Sequence, residues 1–201
     1  TRPEVIKLAS VIIELKNNVN YRVLVCNTEQ QKELSNQTLG FFNINADFNL
    51  NVMSKNQTLA GVQSCILDKL SDVYKKNVVD ATIVQGDTMT AFCGSLISFY
   101  NHIPIFHVEA GLRSYNLFEP FPEEAIRQMI SRISDLNFVP TILAKKFLLK
   151  ENIKSDKIFV TGNSVIDALF SLPDNTLKKA IQELKNKNIL LNDNLVLITL
   201  H

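Results

Sequence analysis

The sequence predicts an α/β fold built on a doubly wound parallel sheet, and three observations carry that expectation. Four short runs, DATIVQ (80–85), IPIFHV (103–108), LNFVP (136–140) and KIFVTG (157–162), are apolar on both faces, as strands covered on two sides must be. Segments with helical spacing separate them. The connections between runs are short, which favours alternating strand and helix in a parallel sheet.

The elements follow in chain order. Val5, Leu8, Ala9, Ile12 and Leu15 recur at steps of three and four, with Pro3 and Glu4 in the favoured first-turn places, so a helix is expected over 3–16. YRVLVC (21–26) is short, β-branched and followed by polar residues, and reads as a strand. Leu59, Val62, Ile66, Leu70 and Val73 mark a long helix over 57–76. The four apolar strands come next. At SLPDNT (171–176), Pro173 and Asp174 break the preceding helix and suggest a boundary, giving one domain over 1–172 and the start of another over 173–201. Beyond it only a helix (177–187) and a strand (195–200) are expected, too little for a domain. The opening TRPEVIKLA and the closing NLVLITLH both read as cuts through a longer protein.

Composition narrows the function classes. With 201 residues, 46% of them hydrophobic, the chain can bury a core. Twenty-one basic and twenty acidic residues leave a net charge of +1, without the one-sided field that nucleic acid or an anionic membrane would attract. No apolar run reaches the roughly 20 residues of a membrane span, and no signal peptide precedes Pro3. Cys26, Cys65 and Cys93 are far apart, without metal-ligand spacing, and read as thiols of a reducing compartment; the cytoplasm is the expected location.

In an open parallel sheet, ligands bind beyond the carboxyl ends of the strands. That rule sends Asp87 of QGDTMT, Glu109 of FHVEAG, and Asn163 with Ser164 to one rim. Asp87 reads equally as a helix cap or a site residue, because Thr88 can serve as the cap, whereas Asn163 and Ser164 read as caps. Glu109 has no helix start nearby to explain it, and a carboxylate at a buried strand end needs a partner or a raised pKa. His107 shares its strand face, as a core residue or a neighbour of the site. In PFPEEAIRQMI, acids in the first turn are favoured by about 0.3–1 kcal/mol through the helix dipole, so one glutamate needs no catalysis to explain it. Glu123 and Glu124 point about 100° apart on a helix, so only one is expected to face the crevice, the other serving the helix. Glu119 reads as a solvated loop charge. Arg2 and Lys7, at the start of a helix, oppose its dipole unless an anion sits between them.

Together TRPEVIK, QGDTMT, FHVEAGLRS, PFPEEAIR and KIFVTGNSVIDAL resemble, in order and spacing, the non-hydrolysing UDP-N-acetylglucosamine 2-epimerases. The resemblance implies a Rossmann-like, GT-B type N-terminal domain lacking its first strand and truncated before most of a second Rossmann-like domain. It implies interconversion of UDP-N-acetylglucosamine and UDP-N-acetylmannosamine for bacterial surface polysaccharides, a UDP-sugar as partner and a homodimer, with no cofactor and no metal. Asp87, Glu109 and Glu123 match the family's catalytic carboxylates, His201 a histidine near the diphosphate, and Arg2 and Lys7 basic residues near the substrate phosphates. Gln30 and Gln57 match glutamines of a neighbouring activating UDP-N-acetylglucosamine site. The chain departs from the pattern at Gln31, Tyr115, Ile126, Asn137 and Leu200. A 2-epimerase of a 6-deoxy UDP-sugar, a hydrolysing epimerase and a GT-B glycosyltransferase are the alternatives, as is a binding module without turnover.

Overall fold

The computed structural model describes residues 1–172, 174–187 and 189. The expected strand 195–200, Leu200 and His201 lie outside them. The chain opens with α1 (Arg2–Asn17), followed by β1 (Cys26–Asn27), α2 (Lys32–Phe41), β2 (Phe48–Asn49) and α3 (Leu59–Lys76). Strand and helix then alternate: β3 (Thr82–Gln85), α4 (Met89–Tyr100), β4 (Ile105–Val108), α5 (Glu123–Ile133), β5 (Leu136–Val139), α6 (Ile142–Lys150) and β6 (Ile158–Val160). The helices α7 (Val165–Phe170) and α8 (Asp174–Asn186) come last.

Among the described residues the strands pair in parallel and form two sheets: β1 beside β2, and a four-stranded sheet in the order β3-β4-β5-β6. Three crossovers in one direction place α4, α5 and α6 on a single face, the right-handed connection expected of parallel strands. Val84, Ala91, Ile105, Ile126 and Ile130 form the core there, and Ala110, Val139, Ala144, Leu148 and Ile158 continue it under α6. The sheet's other side faces α1, which also packs on α2 and α7. The long helix α3 packs against α4, burying Val62, Ile66 and Leu70, whereas Leu59, at its first turn, stays half exposed. Burying three such side chains stabilises the helix by roughly 1.5–3 kcal/mol each.

Two expectations are corrected. The strand expected over 21–26 is a strand only at Cys26–Asn27, because β2 offers only two residues to pair with. Val25 is still held beside it, its carbonyl accepting from Asp47 N–H and Phe48 N–H, but residues 21–25 have no ladder. The partner strand β2 escapes the apolar pattern altogether, since it lies in the asparagine-rich run FNLNV. The last described helix begins at Asp174, three residues earlier than expected.

Candidate functional site

The carboxyl ends of β3, β4 and β6 point to the same rim, and the polar residues that follow them converge. After β3 the chain turns through Gly86 into Thr88, whose hydroxyl accepts from Ala91 N–H at 3.2 Å and caps α4. Asp87 is therefore released from capping. Its Oδ2 lies 2.5 Å from Arg127 Nη2 of α5. Burial raises its pKa above the ordinary carboxylate value; Arg127 opposes the rise, Glu123 and Glu109 add to it, and Lys7 opposes it again. That set of charges places Asp87 within electrostatic reach of both other candidate carboxylates.

Glu109 follows β4 in the left-handed backbone region, with φ +63°. This conformation turns its side chain along the rim, where three elements meet it. Lys7 Nζ from α1 lies 2.6 Å from Oε2, the Gln85 amide at the end of β3 donates to the same oxygen, and Asn163 Nδ2 lies 3.4 Å from Oε1. The buried-strand-end carboxylate thus has its partner, and it is Lys7. Asn163 does two jobs: its Oδ1 accepts from Val165 N–H at 3.1 Å at the start of α7 while its amide reaches Glu109. Ser164 makes no side-chain cap bond.

The paired glutamates of α5 divide unexpectedly. Glu123 is partly buried and its charge acts on Asp87. Glu124 is fully buried and does more than start the helix: it accepts from Ser114 N–H at 2.9 Å, Tyr115 N–H at 3.2 Å and Gln128 Nε2 at 2.8 Å. Burial by itself would raise its pKa, but these bonds and Arg127, 3.7 Å away, outweigh burial and hold the carboxyl below its usual range. Glu124 is therefore the post on which the 112–121 loop hangs. Arg113, in the same loop, makes a two-pronged pair with Glu151 at 2.7 and 2.8 Å. Glu119 is exposed, as expected of a loop charge.

Behind the rim lies His107, fully buried, with Nε2 2.7 Å from the Gly86 carbonyl. Burial lowers its pKa to about 4 against the opposing pull of that carbonyl, and Arg113 and Arg127 lower it further, so it is neutral and donates through Nε2. It steadies the turn that carries Asp87. Asn137 stands beside it in register on β5, also fully buried.

Other candidates stand apart from the carboxylates. Arg2 is exposed and lines an apolar cavity of about 500 Å³ between α1, α2 and α7, with Phe41 and Leu169. Gln30 accepts from Thr90 Oγ1 at 3.3 Å. Gln57 spends its amide on its own loop, accepting from Ser54 N–H and donating to the Val52 carbonyl. Gln31 accepts from Arg2 N–H at 3.4 Å. Of the departures, Ile126 is core, packed with Ile105 and Ile130. Tyr115 adopts φ +61°, where glycine is at ease, and its ring is held edge-on against Phe147 with Lys150 Nζ over its face. Sequence reasoning missed Arg127, Gln85 and the buried role of Glu124. The spacing signalled one of them, since Arg127 lies three and four residues after the two glutamates and shares their helix face.

A family model described as UDP-N-acetylglucosamine 2-epimerase matches residues 13–201. The chain is 45% identical over 205 residues to the UDP-N-acetylglucosamine 2-epimerase of Neisseria meningitidis, aligning along its whole length with 55% of that protein. It is 50% identical over 169 residues to the Bacillus subtilis enzyme of that name, covering 84% of this chain and 44% of the relative. The chain thus spans about half the length of these curated relatives. Its fold superposes with a TM-score of 0.91, at 44% identity, on the Neisseria meningitidis enzyme bound to UDP-GlcNAc, covering 96% of this chain and 53% of that one.

Proposed function

The chain belongs to the UDP-N-acetylglucosamine 2-epimerase family, and from that premise we propose that the protein interconverts UDP-N-acetylglucosamine and UDP-N-acetylmannosamine. One observation carries the reading: Asp87, Glu109 and Glu123, from three different elements, gather at one rim beside Lys7. The C2 proton of the sugar is not next to a carbonyl, so a carboxylate cannot remove it directly. Cleavage of the anomeric C–O bond, with the electron pair leaving on UDP, makes an oxocarbenium-like centre that acidifies that proton. Loss of the proton gives a 2-acetamidoglucal and UDP. Returning UDP to C1 and a proton to the opposite face of C2 yields the epimer. Two faces call for two acid/base groups. Asp87 and Glu123 take that role in this proposal; burial and like charge raise the pKa of Asp87, the direction that suits an acid/base carboxyl. Glu109, paired with Lys7, supports charge.

Lys7 and Arg2 serve the diphosphate in this reading, together with His201. Gln30 and Gln57 belong to a neighbouring activating site for a second UDP-sugar, where Gln57 acts by shaping its loop. The same reading divides the chain into domains at 172/173. It also makes the enzyme a cytoplasmic homodimer that supplies surface polysaccharide synthesis. Three free cysteines fit a reducing compartment, and no helix among the described residues is long and apolar enough to cross a membrane. The test is isotopic. In deuterated water, the full-length protein should incorporate solvent deuterium at C2 of UDP-N-acetylglucosamine as it forms the manno epimer. Sugar transfer to an acceptor without that exchange would overturn the reading in favour of a glycosyltransferase.

A further inference from the structure

Arg127 is a partly buried cation between two carboxylates. Its side chain is 14% exposed, and its Nε is buried with no hydrogen-bond partner among the described residues. Desolvating a guanidinium in this way costs more than an exposed ion pair returns. What it does is bridge. Nη2 lies 2.5 Å from Asp87 Oδ2 and Nη1 lies 3.7 Å from Glu124 Oε2, so one guanidinium spans a rim carboxylate and a buried one. Glu124 cannot drift, because Ser114 N–H, Tyr115 N–H and Gln128 hold both its oxygens. From the other side His107 grips the Gly86 carbonyl, one residue before Asp87.

We propose that Arg127 is a positioning residue for Asp87, a guanidinium fixed by Glu124 that holds the Asp87 carboxylate in one orientation at the rim. It rests on the epimerase reading only where catalysis is concerned. A guanidinium stays charged at any working pH, so it cannot itself exchange the proton. Its value is geometric, and electrostatic: it counters the burial that pushes Asp87 toward its neutral form. The linkage also reaches outward. The backbone of the 112–121 loop orients Glu124, Glu124 orients Arg127, and Arg127 orients Asp87, so loop geometry is transmitted to a candidate acid/base group. The charges acting on Asp87 are those of Arg127 and Glu123 of α5, Glu109 at the β4 end and Lys7 of α1, while Glu4 meets the neighbouring Thr88, His107 the Gly86 carbonyl and Glu124 the guanidinium of Arg127. Among them Arg127 makes the direct contact.

The experiment uses the full-length protein with 13C-labelled aspartate, Asp87 being assigned through Asp87→Asn. In Arg127→Met the Asp87 carboxyl should titrate about 1–3 pH units higher than in the wild type, and in Arg127→Lys by less. C2 deuterium exchange by Arg127→Met should fall about 100-fold in kcat with little change in KM, the cost of a misplaced catalytic group. Combined with Asp87→Asn, Arg127→Met should add almost no further loss, because both changes act through one carboxylate. An unmoved Asp87 titration in the folded Lys variant and the Met variant, or fully additive losses, would overturn the proposal. Absence of any exchange by the wild type would refute the epimerase reading alone, and the titration would still decide the role of Arg127.

Discussion

At His107 and Asp87, burial sets itself against the charged form of a single side chain. His107 is neutral in the fold, with its pKa lowered from 6.5 to about 4 by burial. Protons therefore bind the unfolded chain first as pH falls. Its contribution to stability is complete above pH 6.5 and is lost progressively down to about pH 4, a loss on the order of 3 kcal/mol. His107→Gln keeps a donor for the Gly86 carbonyl and removes the titration, so its unfolding free energy should vary less across that window than the wild type's, as urea melts at pH 7, 5.5 and 4 would measure. An equal slope in both would mean that other groups set the acid sensitivity. Asp87 bears the opposite shift, raised by burial, with Arg127 opposing the rise and the like charges of Glu123 and Glu109 adding to it. Strand ends and first turns are readable, so the sequence offers Asp87, Glu109 and the Glu123–Glu124 pair as candidates, and the choice of Glu123 within the pair comes from the family resemblance. Sequence reasoning did not reach Gln85, because a glutamine ending an apolar run gives no sign of which carboxylate its amide will meet.

Among the elements, the β4 exit is the most constrained. Gly111 has φ +83°, and a Cβ there would come 2.7 Å from the Ala144 carbonyl oxygen of α6, backbone that cannot step aside. Gly111→Ala should lower stability by more than about 1 kcal/mol, read as a reduced Tm, and should disturb Glu109 two residues earlier. A variant as stable as the wild type would show that α6 can shift to make room. The helices α1 and α3 were legible because their apolar positions repeat at helical steps, whichever elements they then pack against. The strand pair β1-β2 was not legible, since its extent is decided by how many residues the partner offers rather than by its own side chains. The role of Glu124 was hidden for a related reason. A glutamate in a first turn already has a sufficient local explanation, and only the arrival of the Ser114 and Tyr115 amides gives it a second.

At the scale of the whole molecule, the four-stranded sheet presents its carboxyl ends to one side, and α1 and α5 bring Lys7, Glu123 and Arg127 to them. The chain spans about half of its relatives' length, and under the proposed mechanism UDP must be held while it is detached from the sugar. The 201-residue chain by itself should therefore give negligible epimer in a coupled assay at enzyme concentrations where the full-length protein turns over. Measurable turnover by the chain alone would place the whole reaction within these residues. The sequence by itself determined the α/β class, the parallel sense of the strands and the rim to which the carboxylates are delivered, because periodicity and strand-end chemistry are local properties. Which glutamate of the pair is sequestered, which cation meets Glu109 and which guanidinium holds Asp87 were decided only by the tertiary structure. Those partnerships join residues as far apart as Lys7 and Glu109, and a contact across that separation leaves no mark on either neighbourhood.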